Sequence, residues 1–425
     1  MKKITNDTYQ ETYFEETLDN GLHVVLWNKP GFEKSYFMIA TPLGALDMEQ
    51  VDEAGKEITF PAGIAHFLEH KMFEDETCDI MDKFSKMGAN VNAFTSYTET
   101  AYYFSTSGDP IKPLHLLLEL AQNLHISKAS VEKEKGIIIQ ELNMYKQMSD
   151  SRLLMETFTS LFVNHPMRFD IGGDDKSVSS ITYEQLQDCY RLNYHPSKMI
   201  LIGVSGHDPK QLMKEIRDDQ SQREFSKVAH VTRKSYDEPK DVARPSFSFE
   251  MDVTTPKLAV AYKLEGIADW KERLKLEWAF RILLDASFTS LNPDYQQWLD
   301  EKIINDYFGY DADFGTDYGF LMFYNETDNV EQFRSFIHSS LKKVRDNGIQ
   351  ESTLNQLKRR YFGQAVRSLN NFDEIAVTYM RNFFNHIDFF ETMDMAMKIT
   401  LDDLWYAMDQ IDSAREAVVT ILPKK

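Results

Sequence analysis

Cysteine is scarce: the 425-residue sequence has two, Cys78 and Cys189. Two thiols make no disulfide framework, and neither has metal-ligand spacing, so both are expected as plain thiols of a reducing compartment. Positive charge is short as well. Lys and Arg number 47 against 67 Asp and Glu, a net charge of −20. That balance argues against nucleic-acid phosphate as a partner; an acidic interior would attract basic peptides instead. No apolar run approaches the ~18 residues of a membrane-spanning helix. The start, Met1 to Asp7, has lysines but no apolar stretch behind them, so no signal peptide is read and a cytoplasmic location is expected.

What is present is enough apolar residue for sizeable cores, 42% hydrophobic and 13% aromatic. The length suggests about two or three domains. Residues 16–47 are strand-like, with an Asn20-Gly21 turn before the strand His23 to Trp27. Residues 48–60 are polar and are expected as loop. Helices are predicted at 80–87, 111–123, 131–146 (with Ser130 as N-cap), 151–163 and 181–194, and buried strands at 100–105 and 199–204. Residues 218–245 are charged and poor in large apolar groups, and read as a linker. The pattern then restarts: strand 257–264, helix 271–285, strand 318–324, helices 330–345 and 351–368, closing strand 417–422. Two related halves, 1–217 and 246–425, account for this order.

One stretch carries chemistry. Gly63 to Phe73 reads G-I-A-H-F-L-E-H-K-M-F. On a helix, His66 and His70 share a face and Glu69 lies beside them. Two imidazoles suit a divalent metal such as zinc, and a carboxylate left uncoordinated can take a proton from water. The order H-x-x-E-H is the inverzincin signature. A third ligand would come from a carboxylate on the helix 131–146, where Glu134 and Glu141 lie two turns apart on one face; helical spacing does not rank them. The second half has Leu283 to Phe288 where a histidine pair would stand. His23, His115, His125 and His195 read as structural, and the aromatic cluster from Phe372 to Phe390 as core or subunit interface.

His66 to His70 together with Glu134-x6-Glu141 resembles the pitrilysin/insulinase family, which includes the mitochondrial processing peptidase. The phrases Val131 to Gly136 and Tyr194-His195-Pro196 look closest to its small bacterial members of the YmfH type. The resemblance is strong over 16–210 and weaker after 245. It implies an α+β fold of two homologous α/β-sandwich halves, each a mostly antiparallel sheet covered by helices, LuxS/MPP-like. It implies one Zn²⁺ per chain on His66, His70 and Glu141, with Glu69 catalytic and Glu134 as a supporting carboxylate. Asn92, Ala93, Phe94 and Thr95 match the edge strand on which an extended peptide adds in that family. Arg381 is a candidate for holding a substrate carbonyl in a partner subunit. The expected activity is a zinc metalloendopeptidase acting on peptides or unfolded segments. The expected assembly is a homodimer, or a heterodimer with a paralogous chain lacking the zinc motif. The alternative is a non-catalytic peptide-binding or assembly subunit.

Overall fold

A computed structural model describes residues 1–74 and 80–424; Cys78 lies outside them. In chain order the strands are β1 (Lys2–Asn6), β2 (Glu11–Thr17), β3 (His23–Asn28), β4 (Ser35–Thr41), β5 (Glu49–Asp52), β6 (Glu57–Thr59), β7 (Ala89–Thr95), β8 (Thr100–Thr106), β9 (Ile200–Ser205), β10 (Val231–Arg233), β11 (Ser246–Met251), β12 (Lys257–Leu264), β13 (Gly309–Phe314), β14 (Gly319–Glu326) and β15 (Glu416–Pro423). The helices are α1 (Ile64–Met72), α2 (Ile80–Lys86), α3 (Ile111–Gln122), α4 (Lys128–Gln147), α5 (Ser149–Leu161), α6 (Asp175–Ser180), α7 (Tyr183–Asn193), α8 (Pro209–Gln220), α9 (Trp270–Phe288), α10 (Tyr295–Asp300), α11 (Val330–Asn347), α12 (Glu351–Ser368), α13 (Phe372–Phe384), α14 (Phe389–Lys398) and α15 (Leu401–Asp409). The fold is α+β, with sheets covered by helices. The chain divides into two compact units, each built from three segments: Met1–Leu142, Asp170–Lys234 and Ser368–Phe384, and then Asn143–Phe169, Ser235–Arg367 and Asn385–Lys425.

The first unit holds a seven-stranded sheet in the order β1-β2-β3-β9-β4-β8-β7. Only the β3–β9 pair is parallel. The runs Val24-Val25-Leu26-Trp27 and Phe37-Met38-Ile39-Ala40 are apolar without alternation because both faces of the sheet are covered. On one face Leu26, Phe37, Ile39 and Phe104 meet Phe67 and Leu68 of α1, Leu117 of α3 and Ile138 of α4. The other face carries α13, from late in the chain. Tyr379 stands edge-on to Tyr13 and Trp27, and Phe383 stacks on His23 with centroids 4.7 Å apart. Among the described residues β7 ends the sheet, paired with β8.

Two local expectations are corrected here. Residues 48–60 are not all loop: β5 and β6 form a small sheet with β10, which lies in the stretch read as a linker. Charge holds it where apolar alternation is lacking. Arg233 makes two 2.9 Å bonds to Asp47, and Lys234 lies 2.8 Å from Glu49 and 3.1 Å from Glu57. The helix expected from Val131 starts at Lys128, so Ser130 is inside it. The amides and hydroxyls of Ser127 and Ser130 bond reciprocally at 3.1 Å, as in a capping box.

The second unit has a five-stranded sheet in the order β11-β15-β12-β14-β13, with β11–β15 the parallel pair. This repeats the order β3-β9-β4-β8-β7. Phe280, Leu284, Phe333, Ile337 and Leu404 pack on Val260, Tyr262 and Phe323. The opposite face carries α5, whose Phe158 meets Phe320 edge-on at 5.0 Å.

Candidate metal centre

α1 owes its start to glycine. Gly63 has φ +87°, a conformation that L side chains rarely adopt, and a Cβ there would stand 2.3 Å from the Gly172 carbonyl oxygen. From that start Ile64, Ala65, Phe67, Leu68 and Met72 turn into the core. His66, Glu69 and His70 are left on the other side, part-buried. α4 buries Val131, Ile138 and Leu142, which turns Glu134 and Glu141 toward α1.

One ligand atom each from His66, His70 and Glu141 lies within 4.8 Å of the others. Glu141 Oε2 is 3.9 Å from His66 Nε2 and 3.3 Å from His70 Nε2. The two rings are 4.6 Å apart and inclined by 64°, so they converge instead of stacking. Atoms about 2.0–2.1 Å from a tetrahedral zinc stand about 3.3–3.4 Å from one another. Two imidazoles and a carboxylate at these separations fit zinc, with a position left open. The second carboxylate does something different: Glu134 Oε1 lies 3.1 Å from His70 Nδ1 and accepts its proton in a hydrogen bond. That bond puts a proton on Nδ1 and aims Nε2 at Glu141, so Nε2 would be the atom to hold a metal once it has given up its own proton. Among the described residues, His66 Nδ1 is buried without a hydrogen-bond partner.

Electrostatics follow from burial and crowding. Burial, with the neighbouring His70 charge, lowers the His66 pKa to about 4, so this imidazole is neutral at physiological pH. Burial also pushes His70 down, but hydrogen bonds and charge from Glu134 and Glu141 outweigh it and raise His70 to about 9. The His70 contact holds Glu141 below the usual carboxylate range. Glu69 is pushed up by burial, and the Thr95 hydroxyl opposes that shift.

β7 runs beside α1. Asn92 is exposed, and Ala93, Phe94 and Thr95 are half-buried. Thr95 thus reaches Glu69, while Asn92 Oδ1 accepts from the Ala93 amide at 2.8 Å. Arg381 stands on α13, and its Nε donates to Glu99 Oε1 at 2.9 Å, at the turn between β7 and β8. Two features went unread in the sequence: Lys71, a cation at 2% exposure next to His70, and the Gly172-Gly173 pair against the start of α1. The adjacent glycines and a lysine inside an apolar helical row were the available signals. His115 on α3 bonds Asp219 on α8 at 2.9 Å, and His195 Nδ1 accepts from the Ser197 amide at 3.1 Å in its own turn.

The insulinase (peptidase family M16) model matches residues 56–173, and the peptidase M16 inactive-domain model matches residues 180–361. The chain is 33% identical to the uncharacterized zinc protease YmfH of Bacillus subtilis, over the full length of both. It is 24% identical to the beta subunit of the mitochondrial-processing peptidase of Dictyostelium discoideum, over 52% of this chain and 46% of that one. An M16-like peptidase from Alicyclobacillus acidocaldarius superposes with a TM-score of 0.93 at 31% identity, covering 97% of this chain and 99% of that one. Pitrilysin has the same fold, with a TM-score of 0.77 at 19% identity over 100% of this chain and 46% of its own. An α+β fold shared with these peptidases, together with the two family-model matches, defines the class as M16 peptidase-like. The chain belongs to the insulinase (M16) family, as one of its small members.

Proposed function

We propose that this protein is a zinc metalloendopeptidase that cleaves peptides or unfolded segments. The observation that carries this reading is the convergence of His66, His70 and Glu141 beside a carboxylate, Glu69, that is held but not part of the donor set. Zinc, when bound there, makes water more acidic and polarises a carbonyl. His66, His70 and Glu141 would hold it. Glu69 has one oxygen, Oε2, occupied by Thr95. Its other oxygen, Oε1, is the atom to take a proton from water and return it to the leaving amide nitrogen. Glu134 keeps His70 in the required tautomer. The outer edge of β7, at Asn92, Ala93, Phe94 and Thr95, would take the substrate as an added strand, so an unfolded segment fits and a folded one does not.

In this reading residues 1–217 carry the site and 246–425 form the related half without it. The chain works in the cytoplasm as a homodimer, or with a paralogous chain that lacks the motif. Arg381 is the candidate for contact with a substrate carbonyl. The match of 180–361 to an inactive-domain model favours a second reading, a peptide-binding subunit without catalysis. Zinc content and cleavage of a quenched peptide library, by wild type and Glu69→Gln, separate the two. Expected are about one zinc per chain in both proteins and a rate drop of about 10²–10⁴-fold in the variant. Equal rates would remove Glu69 from the mechanism. No cleavage by zinc-loaded wild type, alone or with a sister chain, would favour the second reading.

A further inference from the structure

Lys71 occupies the last turn of α1 at 2% exposure, between His70 and the buried Met72. An apolar residue would satisfy that position, since burying a lysine strips its ammonium of water. The ammonium therefore calls for partners, and three surround it. It forms an ion pair with Glu74, it lies 3.4 Å from the Ser130 carbonyl oxygen, and it lies 3.5 Å from Glu134 Oε2. The last contact matters most. Glu134 presents Oε1 to His70 Nδ1 and Oε2 to Lys71 Nζ. Consecutive residues of one helix thus clamp the two oxygens of one carboxylate on another helix.

We propose that Lys71 is a positioning residue of the metal centre, acting through Glu134. This rests on the zinc reading above. A carboxylate fixed at one oxygen alone can rotate about its side-chain bonds. With the other oxygen held by Lys71, Oε1 stays aligned with His70 Nδ1, and the His70 ring stays aimed with Nε2 toward Glu141. Lys71 also offsets negative charge where Glu69, Glu134 and Glu141 are crowded together. Without it, Glu134 Oε2 loses this cation in a part-buried site.

The test is a zinc-affinity cycle on the full chain. Wild type, Lys71→Met, Lys71→Arg, Glu134→Gln and the double variant K71M/E134Q are stripped of metal and titrated with zinc against a chromophoric chelator at neutral pH. Melting curves of the stripped proteins report on folding, and Lys71→Gln replaces Lys71→Met if the latter does not fold. Glu134→Gln is expected to weaken zinc binding about 10–100-fold, and Lys71→Met about tenfold. Lys71→Arg recovers most of that loss, and the double variant binds no more weakly than Glu134→Gln alone. Wild-type affinity in Lys71→Met, or losses that multiply in the double variant, would overturn the role of Lys71. A wild type that takes up no zinc overturns the metallopeptidase reading itself.

Discussion

The Thr95 hydroxyl donates to Glu69 Oε2 at 2.5 Å, tying the end strand of the first sheet to the motif helix. Thr95 in turn lies 3.5 Å from the hydroxyl of Thr100, which donates to the Leu43 carbonyl at 2.8 Å. Glu69 is therefore oriented by the hairpin on which a peptide would lie.

Thr95→Val removes that bond and leaves the three side chains proposed to hold zinc untouched. A hydrogen bond to a charged group contributes about 1.5–3 kcal/mol, so kcat is expected to fall about 10–100-fold with zinc content unchanged. Thr95→Ser should retain most of the rate. Steady-state peptide cleavage with parallel metal analysis checks this; an unchanged kcat in Thr95→Val would show that the bond does not orient Glu69.

Gly63→Ala forces a Cβ into the Gly172 carbonyl at a left-handed position. Strain of that kind costs about 1–3 kcal/mol before the clash is counted. Denaturant unfolding should show at least that loss, with weaker zinc retention because α1 shifts. A variant as stable as wild type would mean that the 172–173 turn moves aside freely.

Chelation should lower the melting temperature. An ion that binds only the folded chain stabilises it by about 2.7 kcal/mol when free ion exceeds Kd about a hundredfold. Differential scanning of wild type with and without chelator should show the shift, and Glu141→Gln should show little of it. Equal shifts in both would place the ion elsewhere.

Glu238 gives a pH dependence. Its carboxylate pairs with Lys263 at 2.5 Å and accepts the amides of Val163, Asn164 and His165, each at 2.7 Å. Burial pushes its pKa up, but these partners outweigh burial and hold it below the ordinary value. A depressed carboxylate stabilises the fold fully above its unfolded pKa of ~4.3, and the contribution is lost as pH falls through the folded value. Glu238→Gln should therefore destabilise clearly at neutral pH and progressively less as pH drops below about 4. Melting curves of both proteins across that range test it; a gap that widens in acid contradicts the assignment.

Arg381→Met leaves the Glu99 carboxylate, whose side chain is 4% exposed, without this cation. The arginine itself is 56% exposed, so the loss should be nearer about 1–2 kcal/mol than the 3–5 kcal/mol of a fully buried pair. Chemical denaturation measures it. A raised KM at unchanged stability would instead put Arg381 on the substrate.

The strands and most helices were legible in the sequence because their signals are local. Val24 to Trp27, Lys257 to Leu264 and the Asn20-Gly21 turn carry their structure in composition and period, and the histidine pair carries its chemistry in spacing. Helical spacing did not separate Glu134 from Glu141, since both sit on one face, and it took the family resemblance to rank them; the turn of α4 over α1 sends one to His70 Nδ1 and the other to the two Nε2 atoms. Lys71 escaped because a lysine beside a histidine reads as solvated until its burial is seen. The small sheet of β5, β6 and β10 escaped because Arg233 and Lys234 meet residues nearly two hundred positions earlier, and no local pattern encodes that pairing.

The first sheet takes one of its covering helices, α13, from residues 372–384, and the second takes α5 from residues 149–161. During synthesis the apolar outer face of β4 and β9 must therefore wait for some 170 further residues to leave the ribosome before α13 can close over it. A chain cut between its halves would release two fragments that each lack a piece of their own core. The protease fold is thus completed late, and a truncated or stalled product would expose bare sheet to chaperones and degradation.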